Sequence, residues 1–138
     1  MKYINKYKIF ESLNYIEDNL KDITLELKDL GYIIDIKLDN ELNLKKIVLK
    51  IYTEDSIRRG SRDWFTFTDE VRDTILRIYQ YMRELGWYSN LSINSNNKSK
   101  KFYIRPDERM RTEDIIEIES NYPKVSDIQM IFIKKVTQ

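Results

Sequence analysis

"IQMIFIKKV", residues 128–136, is apolar on both of the faces that a β-strand presents. Met130 and Phe132 fall on one side and Ile131 and Ile133 on the other, so neither side suits water. A continuous run of this kind belongs in the middle of a sheet or at an interface. Left at a solvated edge it would invite aggregation, because neither a mid-strand charge nor a proline guards it. It must pair inside the sheet, or be covered by a second copy of the chain or by a partner. The fold then depends on which other segments flank it.

Two segments have the right character. Residues 30–50, "LGYIIDIKLDNELNLKKIVLK", and residues 85–105, "LGWYSNLSINSNNKSKKFYIR", both open with Leu-Gly-aromatic and reach a Lys-Lys pair after the same interval. In the first, Ile34, Ile36 and Leu38 alternate with Asp35 and Lys37, "DNELN" reads as a turn, and Ile47, Leu49 and Ile51 predict a returning strand. In the second, Leu91 and Ile93 mark one strand, "NSNNKS" the turn, and Phe102 and Ile104 the next. A helical stripe precedes each hairpin. Leu13, Ile16, Leu20, Ile23, Leu27 and Leu30 predict a helix over 12–30 with Ser12 as its N-cap and Gly31 at its end. Val71, Ile75, Ile78, Met82 and Leu85 predict another over 68–85, capped by Thr68, with Asp69 and Glu70 at the positive end of its dipole and Gly86 closing it.

The two halves superpose at a constant offset of 55, Gly31 falling on Gly86, Leu20 on Ile75 and Phe10 on Phe65. That register predicts a duplicated helix-strand-strand unit, about 8–52 and about 63–107. After it come the polar connector "RPDERMR", a short helix "EDIIEIES" capped by Thr112, the breaker "NYPK" and the apolar strand, together 112–137. Short turns favour antiparallel pairing. The expected fold is therefore α+β: one domain over 1–138, an antiparallel sheet with helices on one face, built from two repeats plus a C-terminal helix-strand. A circularly permuted ferredoxin-type plait would fit that order.

Composition narrows the chemistry. The chain has 138 residues, 41% of them hydrophobic, which can furnish a single core. Lys plus Arg number 24 and Asp plus Glu 23, a net charge of +1, without the basic excess usual for polyanion binding. The absence of His and Cys excludes imidazole- and thiol-based catalysis, disulfides, and zinc sites built on those ligands. Three glycines cannot write a P-loop or a dinucleotide fingerprint. No apolar run approaches the roughly 20 residues of a membrane helix, and no signal-peptide pattern opens the chain, so the expectation is a protein neither secreted nor in a membrane. No cofactor and no metal are expected.

Several stretches bear on function. Asp35-Ile36-Lys37 matches the acid-x-Lys element of metal-dependent nucleases, but also the outward positions of a half-buried strand, the reading preferred here. Glu113, Asp114, Glu117 and Glu119 read as a solvated helix face. Arg58, Arg59 and Arg62 surround a Gly-Ser pair next to Trp64, and Lys98, Lys100, Lys101 and Arg105 interleave with Phe102 and Tyr103. Basic loops with aromatics hold single-stranded nucleic acid. Acidic neighbours such as Glu54, Asp63 and Asp107 dilute both runs and favour a protein-contact role.

The opening "MKYINKYKIFESLN" resembles the N-termini of small proteins of tailed bacteriophages, in which a Lys/aromatic segment leads into Phe-Glu. In large contractile-tailed phages a similar segment is a capsid-targeting propeptide, cut after Leu/Ile-x-Glu, and Ile9-Phe10-Glu11 fits that pattern. Phe10 and Ile16 also belong to the repeat, so here the segment is expected to pack onto the domain. The resemblance implies a virion component or accessory factor, placed in the virion or the host cytoplasm. The expected function is non-catalytic binding of a virion or host protein, or self-association through the C-terminal strand. The alternative is a nucleic-acid-binding module using loops 56–65 and 98–111.

Overall fold

A computed structural model describes residues 2–41, 44–56, 65–66, 68–95, 98–104 and 124–135, with side chains over 13–39, 44–56, 65–66, 68–94 and 124–135. The chain runs α1 (Lys2–Ile23), α2 (Leu25–Asp29), β1 (Ile33–Glu41), β2 (Leu44–Tyr52), β3 (Phe65–Thr66), α3 (Asp69–Glu84), β4 (Tyr88–Ser95), β5 (Lys98–Ile104), β6 (Lys124–Val125) and β7 (Asp127–Lys135). The predicted helix "EDIIEIES" and its connectors lie outside the described residues.

The first helix differs from the expectation at both ends. Helical backbone already runs from Lys2, so Ser12 lies inside α1 and is not its cap. The break comes at Thr24, whose hydroxyl donates back to the carbonyls of Leu20 (2.8 Å) and Lys21 (3.2 Å). Such back-bonding competes with the helical ladder and bends the axis. After α2 the amide of Tyr32 donates to Leu27 and that of Gly31 to Lys28, with Gly31 at φ 98°. The same arrangement closes α3, with Trp87 donating to Met82, Gly86 donating to Arg83, and Gly86 at φ 83°. Both ends are the paired-hydrogen-bond stop that requires a left-handed residue, which glycine alone adopts without strain. At the other end of α3, Thr68 accepts from the Val71 amide, as its sequence position predicts.

Five strands form one sheet in the order β1-β2-β7-β4-β5, every neighbouring pair antiparallel. β7 is the central strand, its need for two partners met by β2 and β4. A second copy cannot add to the edges of β7, because both are already paired, and only its open face, with Ile131 and Ile133, is left for a partner. Across one face of the sheet, Ile51–Ile128–Ile93, Leu49–Met130–Leu91 and Ile47–Phe132–Ser89 lie in register, all of them buried. Ile16 and Leu20 of α1, Leu27 of α2, and Val71, Ile75, Ile78 and Met82 of α3 complete the same core. The helices thus cover one face, the α+β arrangement expected. Phe65 and Val125, joined in the small β3–β6 ladder, close one end, with Phe65 edge-on to Tyr32.

A circularly permuted plait would set β5 directly beside β2 in the middle of the sheet, whereas here β7 stands between the two hairpins and β4 is the inner strand of the second. The constant offset of 55 does not carry through the hairpins. Helix ends and core stripes correspond, but the hairpins do not share a register. Asp39 pairs with Lys46, so the shifted hairpin would pair Asn94 with Lys101, whereas Asn94 pairs with Ser99. The strand next to β7 is also the second of one hairpin, β2, and the first of the other, β4. Two polar turns of similar length do not fix register by themselves.

Tyr79 packs edge-on against Phe132, centroids 6.2 Å apart, and its buried hydroxyl has no hydrogen-bond partner. Such an orphan costs roughly 1–3 kcal/mol. Tyr79→Phe should therefore stabilise the protein by about 1 kcal/mol in urea melts at neutral pH. Burial also pushes the phenol's pKa far up. A raised folded-state pKa gives stability that is complete below the unfolded value and is lost as pH rises above it, here from about pH 10 upward. The Phe variant should lose less stability between pH 9 and 11 than the parent, at about those values. An equal alkaline loss in both proteins would contradict this.

Candidate functional site

The face of the sheet away from the helices offers the most distinctive surface. Strand pairing sets Lys37–Val48–Ile131–Asn90 in one row across β1, β2, β7 and β4. Asp39–Lys46–Ile133–Tyr88 forms the next row, and Asp35–Lys50–Gln129–Ser92 the row on the other side. The pleat places these residues opposite the buried set. Val48, Ile131 and Ile133 are half-buried, and Tyr88 beside them is 52% exposed. The centre of the face is thus aliphatic with one aromatic, and lysines, amides and hydroxyls surround it.

The charges on this face are unevenly satisfied. Asp35 accepts a 2.5 Å hydrogen bond from the Tyr52 hydroxyl, which raises the Tyr52 pKa. Asp127 accepts from Asn94 Nδ2 (2.9 Å) and from the Ser126 hydroxyl (3.0 Å). Lys50 lies 5.4 Å from the centroid of the Tyr52 ring, a cation–π contact. Among the described residues, Lys37, Lys46 and Lys50 make no ion pair, whereas the carboxylates of Asp35 and Asp127 already accept hydrogen bonds, so the lysines are the groups left to pair with a partner. The amide oxygen of Asn90, next to Ile131 in register, is shielded from solvent and accepts no hydrogen bond. Buried acceptors of this kind are uncommon, so this point of the face is polar and unsatisfied.

The basic runs singled out in the sequence are only partly placed. Arg58, Arg59, Arg62, Trp64 and Arg105 lie outside the described residues. Lys98, Lys100, Lys101 and Tyr103 lie on β5, so 98–104 is an edge strand and not a loop. In register Lys101 pairs with Ser92 and Tyr103 with Asn90, while Lys100 pairs with Ile93 and Lys98 with Ser95. The run is therefore split between two pleat parities, and does not form one basic ribbon. Glu113, Asp114, Glu117 and Glu119 also lie outside the described residues.

Asp35 and Lys37 are exposed neighbours on β1, the outward positions the sequence predicts for a half-buried strand. Among the described residues no group of three or more acidic side chains converges as a metal site would require. No helix among them is long and apolar enough to cross a membrane. Sequence reading missed Val48, Lys46, Lys50 and Tyr88 as surface determinants. The available signal was Val48 standing between two lysines on β2, opposite the core triplet Ile47, Leu49 and Ile51. No protein-family model, curated protein or solved structure matches the chain.

Proposed function

We propose that this protein works by binding another protein, without catalysis, through the open face of its sheet. The observation that carries the reading is the aliphatic centre of Val48, Ile131 and Ile133 within a polar rim. An apolar centre with a polar surround is the anatomy of a protein–protein contact. Lys37, Lys46 and Lys50 call for an acidic rim on the partner. The resemblance of the N-terminal segment suggests the setting, a bacteriophage virion component or an accessory factor acting on a host protein. In this structure that segment is helical backbone continuous with α1, whereas proteases bind their substrates extended.

Nucleic acid is the second reading, favoured by the same three lysines. Single strands, however, are held by aromatic platforms in the centre of a sheet, and here Val48, Ile131 and Ile133 at the centre are aliphatic, with Tyr88 beside them and Tyr103 at the end of the Ile131 row in register. The test compares the parent with Val48→Lys, which should fold normally, within about 1 kcal/mol, as for a half-exposed position. Chemical cross-linking in infected cells should join the parent to one acidic protein through residues 44–50 and 127–133, and the variant should lose that link. Cross-links that map elsewhere and survive in the variant overturn the reading. Salt-sensitive binding of a dT oligonucleotide, lost on Lys46→Glu, would transfer it to nucleic acid.

A further inference from the structure

The sheet is unfinished on its β1 side. On β2 the core-facing residues Ile47, Leu49 and Ile51 are fully buried, whereas their register neighbours on β1, Leu38, Ile36 and Ile34, are only half-buried. Among the described residues no strand pairs with the outer side of β1. Beside that edge lies a groove of about 230 Å³, with Ile34, Asp35 and Ile36 on one side and Glu17, Lys21, Thr24 and Lys28 on the other. A cavity of about 150 Å³ takes a benzene ring, so this groove has room for one large side chain or two smaller ones. An unpaired strand edge next to such a groove is a template for one more strand.

The sequence of β1 says which strand. Asp35, Lys37 and Asp39 are exposed and alternate in sign. That alternation rejects indiscriminate pairing, because most approaching strands would set like charges opposite one another. We infer that the occupant is β1 of a second copy, paired antiparallel with Ile36 on the two-fold axis. In that register Asp35 lies opposite Lys37 of the second copy and Lys37 opposite its Asp35. On the other side of the pleat Ile34 meets Leu38, Ile36 meets Ile36, and Leu38 meets Ile34.

Neighbouring registers fail. An axis at Lys37 opposes two lysines and sets Asp35 against Asp39. An axis at Leu38 sets Lys37 against Asp39 but also Asp35 against Glu41, so its like-charge pairs offset its opposite-charge pairs, and an axis at Asp35 opposes two aspartates. The register with Ile36 on the axis makes two opposite-charge pairs and no like-charge pair, keeps Ile34, Ile36 and Leu38 together, and leaves Asp39 opposite Ile33 at the margin, the best self-complementary two-fold contact of the four. The axis stands perpendicular to the sheet, so both helical layers lie on one side and the two open faces join on the other. This inference does not rest on the binding function proposed above, and it gives Lys37 a different partner, Asp35 of the second copy, which leaves Lys46 and Lys50 for the open face.

Sedimentation of the full chain over a wide concentration range tests it. The parent should show a reversible monomer–dimer equilibrium. Lys37→Asp opposes carboxylates in both pairs and Asp35→Lys opposes ammoniums, so each alone should weaken the dimer about tenfold or more. An equal mixture of the two variants restores both opposite-charge pairs and should form a heterodimer at least as tight as the parent's. Circular dichroism of each variant keeps misfolding out of the comparison, and Lys37 is the safer site because Asp35 also holds Tyr52. A parent that is monomeric throughout, a dimer indifferent to the single changes, or a mixture that does not associate overturns the proposal.

Discussion

A chain that stops at Pro123 should not fold. Removing β7 takes out the strand that hydrogen-bonds to both β2 and β4, and no other described contact joins the two hairpins edge to edge. Ile128, Met130 and Phe132, all fully buried, leave with it. Each such side chain contributes about 1.5–3 kcal/mol by burial, so the three together approach the whole stability of a small domain, about 5–15 kcal/mol. The loss also uncovers two inner strand edges, each an aggregation template. The expected result is an insoluble or unstructured product, without a cooperative thermal transition by circular dichroism. A soluble, cooperatively melting truncation would mean that the hairpins find each other without their central strand, and the account of the sheet given above would be wrong.

Phe132→Ala should cost about 3–5 kcal/mol, against about 1 for Ile131→Ala on the adjacent residue. The contrast tests which face is core. Phe132 is fully buried, lies between Ile47 and Ser89 in register, and receives the Tyr79 ring. Removing its ring leaves a cavity that the flanking strands and α3 cannot close, because all of them are held by other contacts. Ile131 is half-buried on the open face, where water fills any space left by a lost side chain. Urea midpoints converted with a common slope give both numbers. Equal costs at the two positions would show that the open face is covered in solution as deeply as the helical one.

Much of this architecture could be read from the residues because local and global signals agree. Thr68, Gly31 and Gly86 act as the caps their chemistry predicts, and alternation marks β1 and β2. The placement of β7 followed from a single fact, that neither of its faces tolerates water. Other features could not be read. The start of α1 was masked by Ser12, which suits a helix interior as well as a cap, although Tyr3, Tyr7 and Phe10 carry the stripe of Leu13 toward the N-terminus at helical steps. Leu30 continues the stripe in sequence yet is 58% exposed, because it is the C-cap of α2, where the helix has ended and the chain turns at Gly31. The order of strands was equally concealed. Phe102, Tyr103 and Ile104 make β5 look more like an inner strand than β4, which carries Ser89, Asn90 and Ser92.

The binding face was illegible for a related reason. A sheet face is assembled from rows that cross strands far apart in sequence, Val48 meeting Ile131 and Ile131 meeting Asn90. Each residue alone looks like an ordinary half-exposed position. The shared row appears only when strand order and register are both known, and neither is encoded in short-range pattern. The β1 edge is the converse case. Its alternating charges, Asp35, Lys37 and Asp39, are visible in five consecutive letters, yet they have meaning only once β1 is known to be an outer strand.

The position of β7 also sets a timetable for synthesis. The ribosome finishes β2 at Tyr52 and does not begin β7 until Asp127, 75 residues later by subtraction. At about 5–20 residues per second, that interval lasts about 4 to 15 s. During it the inner edges of β2 and β4 exist without the strand that joins them, although each hairpin and its helix can already have collapsed. Closing the sheet is then an event between distant parts of the chain, slow for reasons of loop entropy however fast the hairpins form. The nascent protein passes through a sticky adolescence, and any chaperone that attends it would have two exposed strand edges to shield.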